Sequence, residues 1–191
     1  MDILASGLGI ILLLIPMGIA ALLIKLDSEG PVLFKQTRVG RNGVDFDILK
    51  FRTMVPDAEK LGRQITVGED PRITKVGRVL RKYKLDEFPQ LINVFKGDMS
   101  LVGPRPEVPK YVALYDGRQK NVLRIRPGIT DLASIEYRDE SEVLSSHVDP
   151  ERIYIQEIMP HKLELNLKYL EQLSVLTDIK LILRTFRVIL G

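Results

Sequence analysis

The sequence predicts an α+β fold, mainly α-helical, with an N-terminal membrane helix, one β-hairpin and amphipathic helices at the membrane surface. Three observations predict it. Residues 3–24 are 22 consecutive positions without a charged side chain. Residues 44–48 alternate apolar and acidic side chains beside Asn42-Gly43, the period of a half-buried strand next to a tight turn. Residues 74–84, and the chain from Pro150 onward, place apolar side chains at helical spacing.

The apolar run lies between Asp2 and Lys25. As a helix rising ~1.5 Å per residue it is about 33 Å long, close to the ~30 Å hydrocarbon thickness of a bilayer. A cleaved signal peptide fits less well, because there is no basic n-region and KLDSEGPVLF offers no small-x-small cleavage site. A buried core helix would show a polar face, and this run has none. Pro16 removes one backbone donor and crowds the carbonyl of Leu12, so a bend or break is expected there. On physics alone a kinked span is favoured over a hairpin that enters and leaves by one face.

Residues 31–54 read as the β-hairpin, with Val44, Phe46 and Ile48 alternating with Asp45 and Asp47. Residues 74–84 read as a helix with Val76, Val79, Leu80 and Tyr83 on one face and Lys75, Arg78 and Lys82 on another. Pro89 suits the first turn of the next helix, running through Leu91, Ile92 and Phe95 to Gly97. GDMSLVGPRPE is expected to be a shaped loop without regular structure, and RIRPGIT a further turn. The C-terminal DIKLILRTFRVILG sets Ile179, Ile182, Leu183 and Phe186 against Lys180, Arg184 and Arg187. Such a helix either rests on a bilayer or packs on the domain core.

A chain of 191 residues suits one domain. With no Cys, disulfide scaffolds, thiol catalysis and Cys-ligated metals are excluded. The two histidines, His147 and His161, leave little room for a His-rich metal site or a Ser-His-Asp triad. Residues 25–110 hold 17 Lys and Arg against 12 Asp and Glu, while residues 111–191 hold 11 against 12. A basic middle beside a membrane segment points to anionic lipid headgroups or phosphorylated substrates, with plain solubility as the alternative.

The chemistry is therefore left to carboxylates and cations. Asp86-Glu87 precedes a helix start and follows six basic residues, Arg72 to Lys84, with no acid among them. The helix dipole and the cations both favour the ionised form. An ionised Asp attacks phosphorus or ligates Mg²⁺ through hard oxygen, whereas the commoner use of such a pair is a cap with a first-turn acid. Arg105 is stiffened within Pro-Arg-Pro, and Arg126 precedes Pro127-Gly128. With Arg81, and with Lys50 and Arg52 at alternate positions of the second hairpin strand, they are candidate phosphate ligands. No GxxxxGK[ST] cradle is present, and the Gly7-Leu8-Gly9 run lies in the membrane segment.

GPVLFKQTRVGRNG, FDILKFRTM, KLDEFPQLINVFKGDMSLVGPRPE and RPGIT resemble, in order and spacing, the bacterial sugar transferase family, the monotopic phosphoglycosyl transferases. The likeness runs from the membrane segment to about Thr130 and is weaker in the C-terminal helices. It implies transfer of a sugar 1-phosphate from a UDP-sugar to polyprenyl (undecaprenyl) phosphate, with release of UMP, at the cytoplasmic face of the bacterial inner membrane. It implies that Asp86 is the nucleophile and a Mg²⁺ ligand, and that Glu87 positions the cation or accepts a proton. It also implies a re-entrant helix at residues 1–25, broken near Pro16, followed by a cytoplasmic catalytic domain at 26–191. Two departures stand out. Ile15 precedes the proline where the family often has Ser, and DLASIEYRDE replaces the GWAQVNGR of many relatives, which bears on recognition of the sugar or base.

The implied partners are the UDP-sugar, polyprenyl phosphate and membrane phospholipid, with a homodimer left open. The competing class is a membrane-anchored, non-catalytic module binding anionic lipid or nucleic acid through its basic face. Nucleic acid is disfavoured because Tyr83 is the sole aromatic residue between Arg72 and Lys84.

Overall fold

The structure, a computed structural model, describes residues 2–58, 65–68 and 70–190. Helix α1, Asp2–Asp27, is a single helix that runs through Pro16. The lost backbone donor therefore does not end it, contrary to a full break. Leu4, Leu8, Ile11, Ile15, Ile19 and Leu22 recur at helical spacing and are all exposed. On another side, Gly7 and Gly9 bring the helix against Phe95 and Leu91, and a Cβ at Gly9 would sit 3.3 Å from Leu91 Cδ1. Ala20 and Ile24 are buried with Phe51 and Leu80. Both ends are tied to the rest of the chain: Asp2 accepts from Arg126 Nη2 at 3.1 Å, and Asp27 from the Val76 amide at 3.0 Å.

Strands β1, Leu33–Val39, and β2, Asp45–Phe51, form the predicted antiparallel hairpin, in register from Leu33 opposite Phe51 to Val39 opposite Asp45. Its turn holds Asn42 and Gly43 at φ 59° and 77°, the left-handed region this pair tolerates. Lys50 lies on β2, and Arg52 follows the strand.

Helix α2, Lys75–Lys82, starts at Thr74, whose hydroxyl accepts from the Gly77 amide at 3.0 Å. A Cβ on Gly77 would lie 2.1 Å from the Thr53 carbonyl oxygen, so only glycine lets α2 press on the chain leaving the hairpin. The predicted apolar face divides: Leu80 is buried, while Val79 and Tyr83 are exposed. A short 3₁₀ turn, Leu85–Glu87, leads into α3, Gln90–Lys96, which ends at Gly97 with φ 90°. Buried Asn93 fastens α3 to β2, accepting from the Leu49 amide at 2.9 Å and donating to the Asp47 carbonyl at 2.8 Å.

The segments read as loop and turn pair instead. Ser100–Val102 (β3) and Gly128–Thr130 (β4) form a short parallel ladder. The pairing depends on glycine, since a Cβ on Gly128 would meet the Gly103 nitrogen at 2.1 Å. Sequence periodicity is silent on pairs of three residues.

The remaining helices are α4, Pro109–Val112; α5, Leu132–Glu136; α6, Glu140–Ser145; α7, Pro150–Ile153; α8, Met159–Glu171; and α9, Val175–Leu190. A π-turn, Tyr154–Ile158, joins α7 to α8 just before Pro160, which has no N–H to give the preceding turn. Tyr111, Val122, Leu144, Tyr154 and Leu163 form the main core with β1. In α9, Leu181 is buried beside Val102 and Tyr169, while Leu176, Ile179, Leu183 and Phe186 are exposed. Among the described residues the fold is thus mainly helical with small β elements, as predicted.

Candidate active site

The 3₁₀ turn begins after Lys84, a non-glycine residue at φ 56°. That left-handed step separates α2 from the Asp86-Glu87 pair and turns both carboxylates inward, where they are buried. Neither one caps α3, so the commoner use of such a pair does not apply.

Glu87 is held by two cations. Its Oε1 accepts from Lys50 Nζ at 3.1 Å and from Arg105 Nη2, and its Oε2 from Arg105 Nη1 at 3.4 Å. Burial works to raise its carboxyl, but Arg105 and Lys50 outweigh it and keep Glu87 well below the usual carboxylate range. Asp86 behaves oppositely. Its Oδ1 is buried without a hydrogen-bond partner among the described residues, and burial, reinforced by the neighbouring Glu87 charge, raises its carboxyl against the pull of Lys50. The expectation that both acids are driven to ionise holds for Glu87 and is corrected for Asp86. The physical reason is that desolvation exceeds the attraction of cations already paired with its neighbour. Burial also pushes the Lys50 ammonium down, with Glu87 partly restoring it.

The loop carrying Arg105 is pinned from both sides. Its own amide donates to Asp131 Oδ2 at 3.1 Å, while Asp131 Oδ1 accepts from the Ser134 amide at 2.6 Å and starts α5. On the other side half-buried Arg38 donates to the Pro106 carbonyl and to Glu107 Oε1, both at 3.1 Å. The Tyr154 hydroxyl closes on the second Glu107 oxygen. Arg38 and Glu107 lie within the family-like segments and Asp131 opens DLASIEYRDE, but the sequence gives none of them, nor Tyr154, a role here, since they are separated along the chain and meet only in the fold.

Glu87 and Arg105 line a cavity of about 610 Å³, together with Arg81, Lys84, Arg38 and Tyr137. The other predicted phosphate ligands take different places. Lys50 stands behind Glu87. Arg52 donates to the Pro31, Ser28 and Glu29 carbonyls and to the Ser28 hydroxyl, at 2.6–2.8 Å, and so braces the link from α1 to β1. Arg126 pairs with Asp2. Neither Arg52 nor Arg126 lines the cavity.

Among the described residues no three His, Cys, Asp or Glu side chains converge as a ligand set. The free, buried Oδ1 of Asp86 does fit one ligand position of Mg²⁺, an ion that commonly takes one or two carboxylates and completes its shell with substrate phosphate and water.

Comparison with known proteins finds undecaprenyl-phosphate sugar phosphotransferases among the relatives. The chain is 39% identical to the UDP-N-acetylgalactosamine-undecaprenyl-phosphate N-acetylgalactosaminephosphotransferase of Aeromonas hydrophila, over 100% of this chain and 43% of that protein. It is 39% identical to UDP-glucose:undecaprenyl-phosphate glucose-1-phosphate transferases of Caulobacter vibrioides, over 97% of this chain and 66% of the relative, and of Escherichia coli, over 96% and 38%. The chain thus spans between about a third and two thirds of the length of these relatives. The family model described as bacterial sugar transferase matches residues 1–191, and the chain belongs to that family.

Proposed function

We propose that this protein transfers a sugar 1-phosphate from a UDP-sugar to undecaprenyl phosphate through an aspartyl-phosphosugar intermediate. The observation that carries the proposal is the contrast within one dipeptide: Asp86 has a free carboxylate oxygen beside Glu87, which is bound by Arg105 and Lys50 at the cavity wall. The first carboxylate keeps one buried oxygen that no described side chain claims, next to the cavity-lining Glu87, and the second holds cations where phosphate charge must be neutralised.

In the first step a carboxylate oxygen of Asp86 forms a bond to the β-phosphorus of the donor. The bond from that phosphorus to the bridging oxygen breaks, and UMP leaves with the electron pair. In the second step an oxygen of undecaprenyl phosphate attacks the same phosphorus. The aspartyl–phosphorus bond breaks, freeing the Asp86 carboxylate and yielding the diphosphate-linked lipid sugar. Lys50 and Arg105 stabilise the transferring phosphoryl group, with Glu87 fixing their positions and Arg81 and Lys84 adding charge at the cavity wall. Mg²⁺, held by Asp86, would supply further neutralisation of the diphosphate.

Two contacts of α1 support a re-entrant membrane arrangement. Both of its ends contact the same polar domain, Asp2 through Arg126 and Asp27 through the start of α2. A helix crossing the bilayer would carry its ends to opposite sides. The ties favour entry and exit by one face, the cytoplasmic face of the inner membrane, with a bend at Pro16 and the exposed apolar stripe in lipid.

The test is Asp86→Asn in membranes or nanodiscs, assayed with a panel of UDP-sugars for UMP release. Loss of release by at least a thousandfold, with membrane association intact, is expected for removal of a covalent nucleophile. Undiminished turnover would refute the covalent route.

A further inference from the structure

The cavity wall carries two neutral polar atoms that no group among the described residues satisfies. Asn166, on α8, is 4% exposed, and its Oδ1 has no partner among the described residues. Ser134, on α5, has a buried Oγ with no partner, although its backbone amide is used by Asp131. The two helices pack on each other, and both residues line the same cavity as Glu87 and Arg105.

Buried polar atoms without partners are uncommon and destabilise the protein that keeps them. Their placement in this wall differs in chemistry from the rest of the site. Glu87, Arg105, Arg81 and Lys84, which line the same cavity, are charged and suit a diphosphate, as Lys162 and Arg138 also suit anionic groups. Ser134 and Asn166 carry no charge, and the Asn166 oxygen only accepts, so a satisfying group must bring an N–H or O–H.

We infer that Ser134 and Asn166 form a neutral recognition subsite for the part of the donor beyond its diphosphate. The ligand chemistry is a hydroxyl or amide hydrogen, from either the sugar or the nucleobase. This assignment rests on the reaction proposed above. It gives the segment DLASIEYRDE a role, since Ser134 enters the wall from it.

Asn166→Leu and Ser134→Ala, each in the full chain in nanodiscs, test the inference. With a ligand-free site, Asn166→Leu removes an unsatisfied atom and is expected to melt about 2–4 °C higher than the parent. Donor KM is expected to rise about tenfold, with a smaller change in kcat. Comparing UDP-glucose with UDP-N-acetylgalactosamine, and both with UMP as inhibitor, separates the sources. A changed ratio between donors with unchanged UMP inhibition assigns the subsite to the sugar. Equal losses for both donors, with weaker UMP inhibition, assign it to the nucleoside. If both variants fold and donor KM and UMP inhibition stay at parental values, the subsite is refuted. If the parent releases UMP from no donor, the reaction is refuted instead. Calorimetric titration of the same UDP-sugars, which needs no turnover, then decides the subsite by the same comparison.

Discussion

Asp86 and Glu87 are neighbours on one short turn, yet their surroundings divide their chemistry. Glu87 has two cations within hydrogen-bond reach and stays ionised, while Asp86 is buried with one oxygen free. Removing the Glu87 charge leaves Lys50 and Arg105 facing each other without a counterion. Glu87→Gln is therefore expected to destabilise the protein by about 3 kcal/mol at pH 7, read from denaturant unfolding. The pH dependence has a definite sign. The folded protein holds Glu87 below its ordinary value of 4.5, so its stabilisation is present above pH 4.5 and fades as pH falls through the lowered range. The gap between parent and Glu87→Gln should narrow accordingly in melts taken from pH 7 to pH 3, and a constant gap would contradict the ion-pair account. The dipeptide was legible as a candidate site in sequence because it follows a run of cations. Its division of labour was not, because desolvation and the positions of Lys50 and Arg105 are properties of the folded chain. Arg52 shows the same limit: alternate positions predicted a shared face with Lys50, and the carbonyls after α1 claim its guanidinium instead.

At the level of elements, the hairpin and α3 were legible because each repeats a pattern over many residues and is closed by Asn-Gly or by Gly97. The β3–β4 ladder was not, since three residues per strand give no period and the pairing relies on backbone approach at Gly103 and Gly128. The site depends on how such pieces lock together. Asn93 carries this load between α3 and β2, the strand that bears Lys50. Asn93→Ala leaves the Leu49 amide and the Asp47 carbonyl unpaired and should cost about 2 kcal/mol in urea unfolding. A loss below a few tenths would mean that water or a shifted strand replaces both bonds.

For the whole molecule, the decisive geometry is the attachment of both ends of α1 to one domain. The chain has no Cys, so single cysteines report cleanly on topology. Leu4 and Leu26 are 82% and 76% exposed near opposite ends of α1. With an impermeant thiol reagent on oriented vesicles, Leu4→Cys and Leu26→Cys are expected to label from the same, cytoplasmic side. Labelling from opposite sides would establish a span and overturn the re-entrant arrangement.

The sequence by itself determined the apolar helix, the hairpin, the cationic middle and the exclusion of cysteine chemistry, because composition and short-range periodicity encode these directly. The tertiary structure decided which cations hold Glu87, why Asp86 resists ionisation, and which surface of α1 is left free. It also assembled one cavity from residues between Leu13 and Ile189. These are consequences of burial and long-range contact, where charge, desolvation and hydrogen bonding depend on neighbours that the chain brings together only on folding.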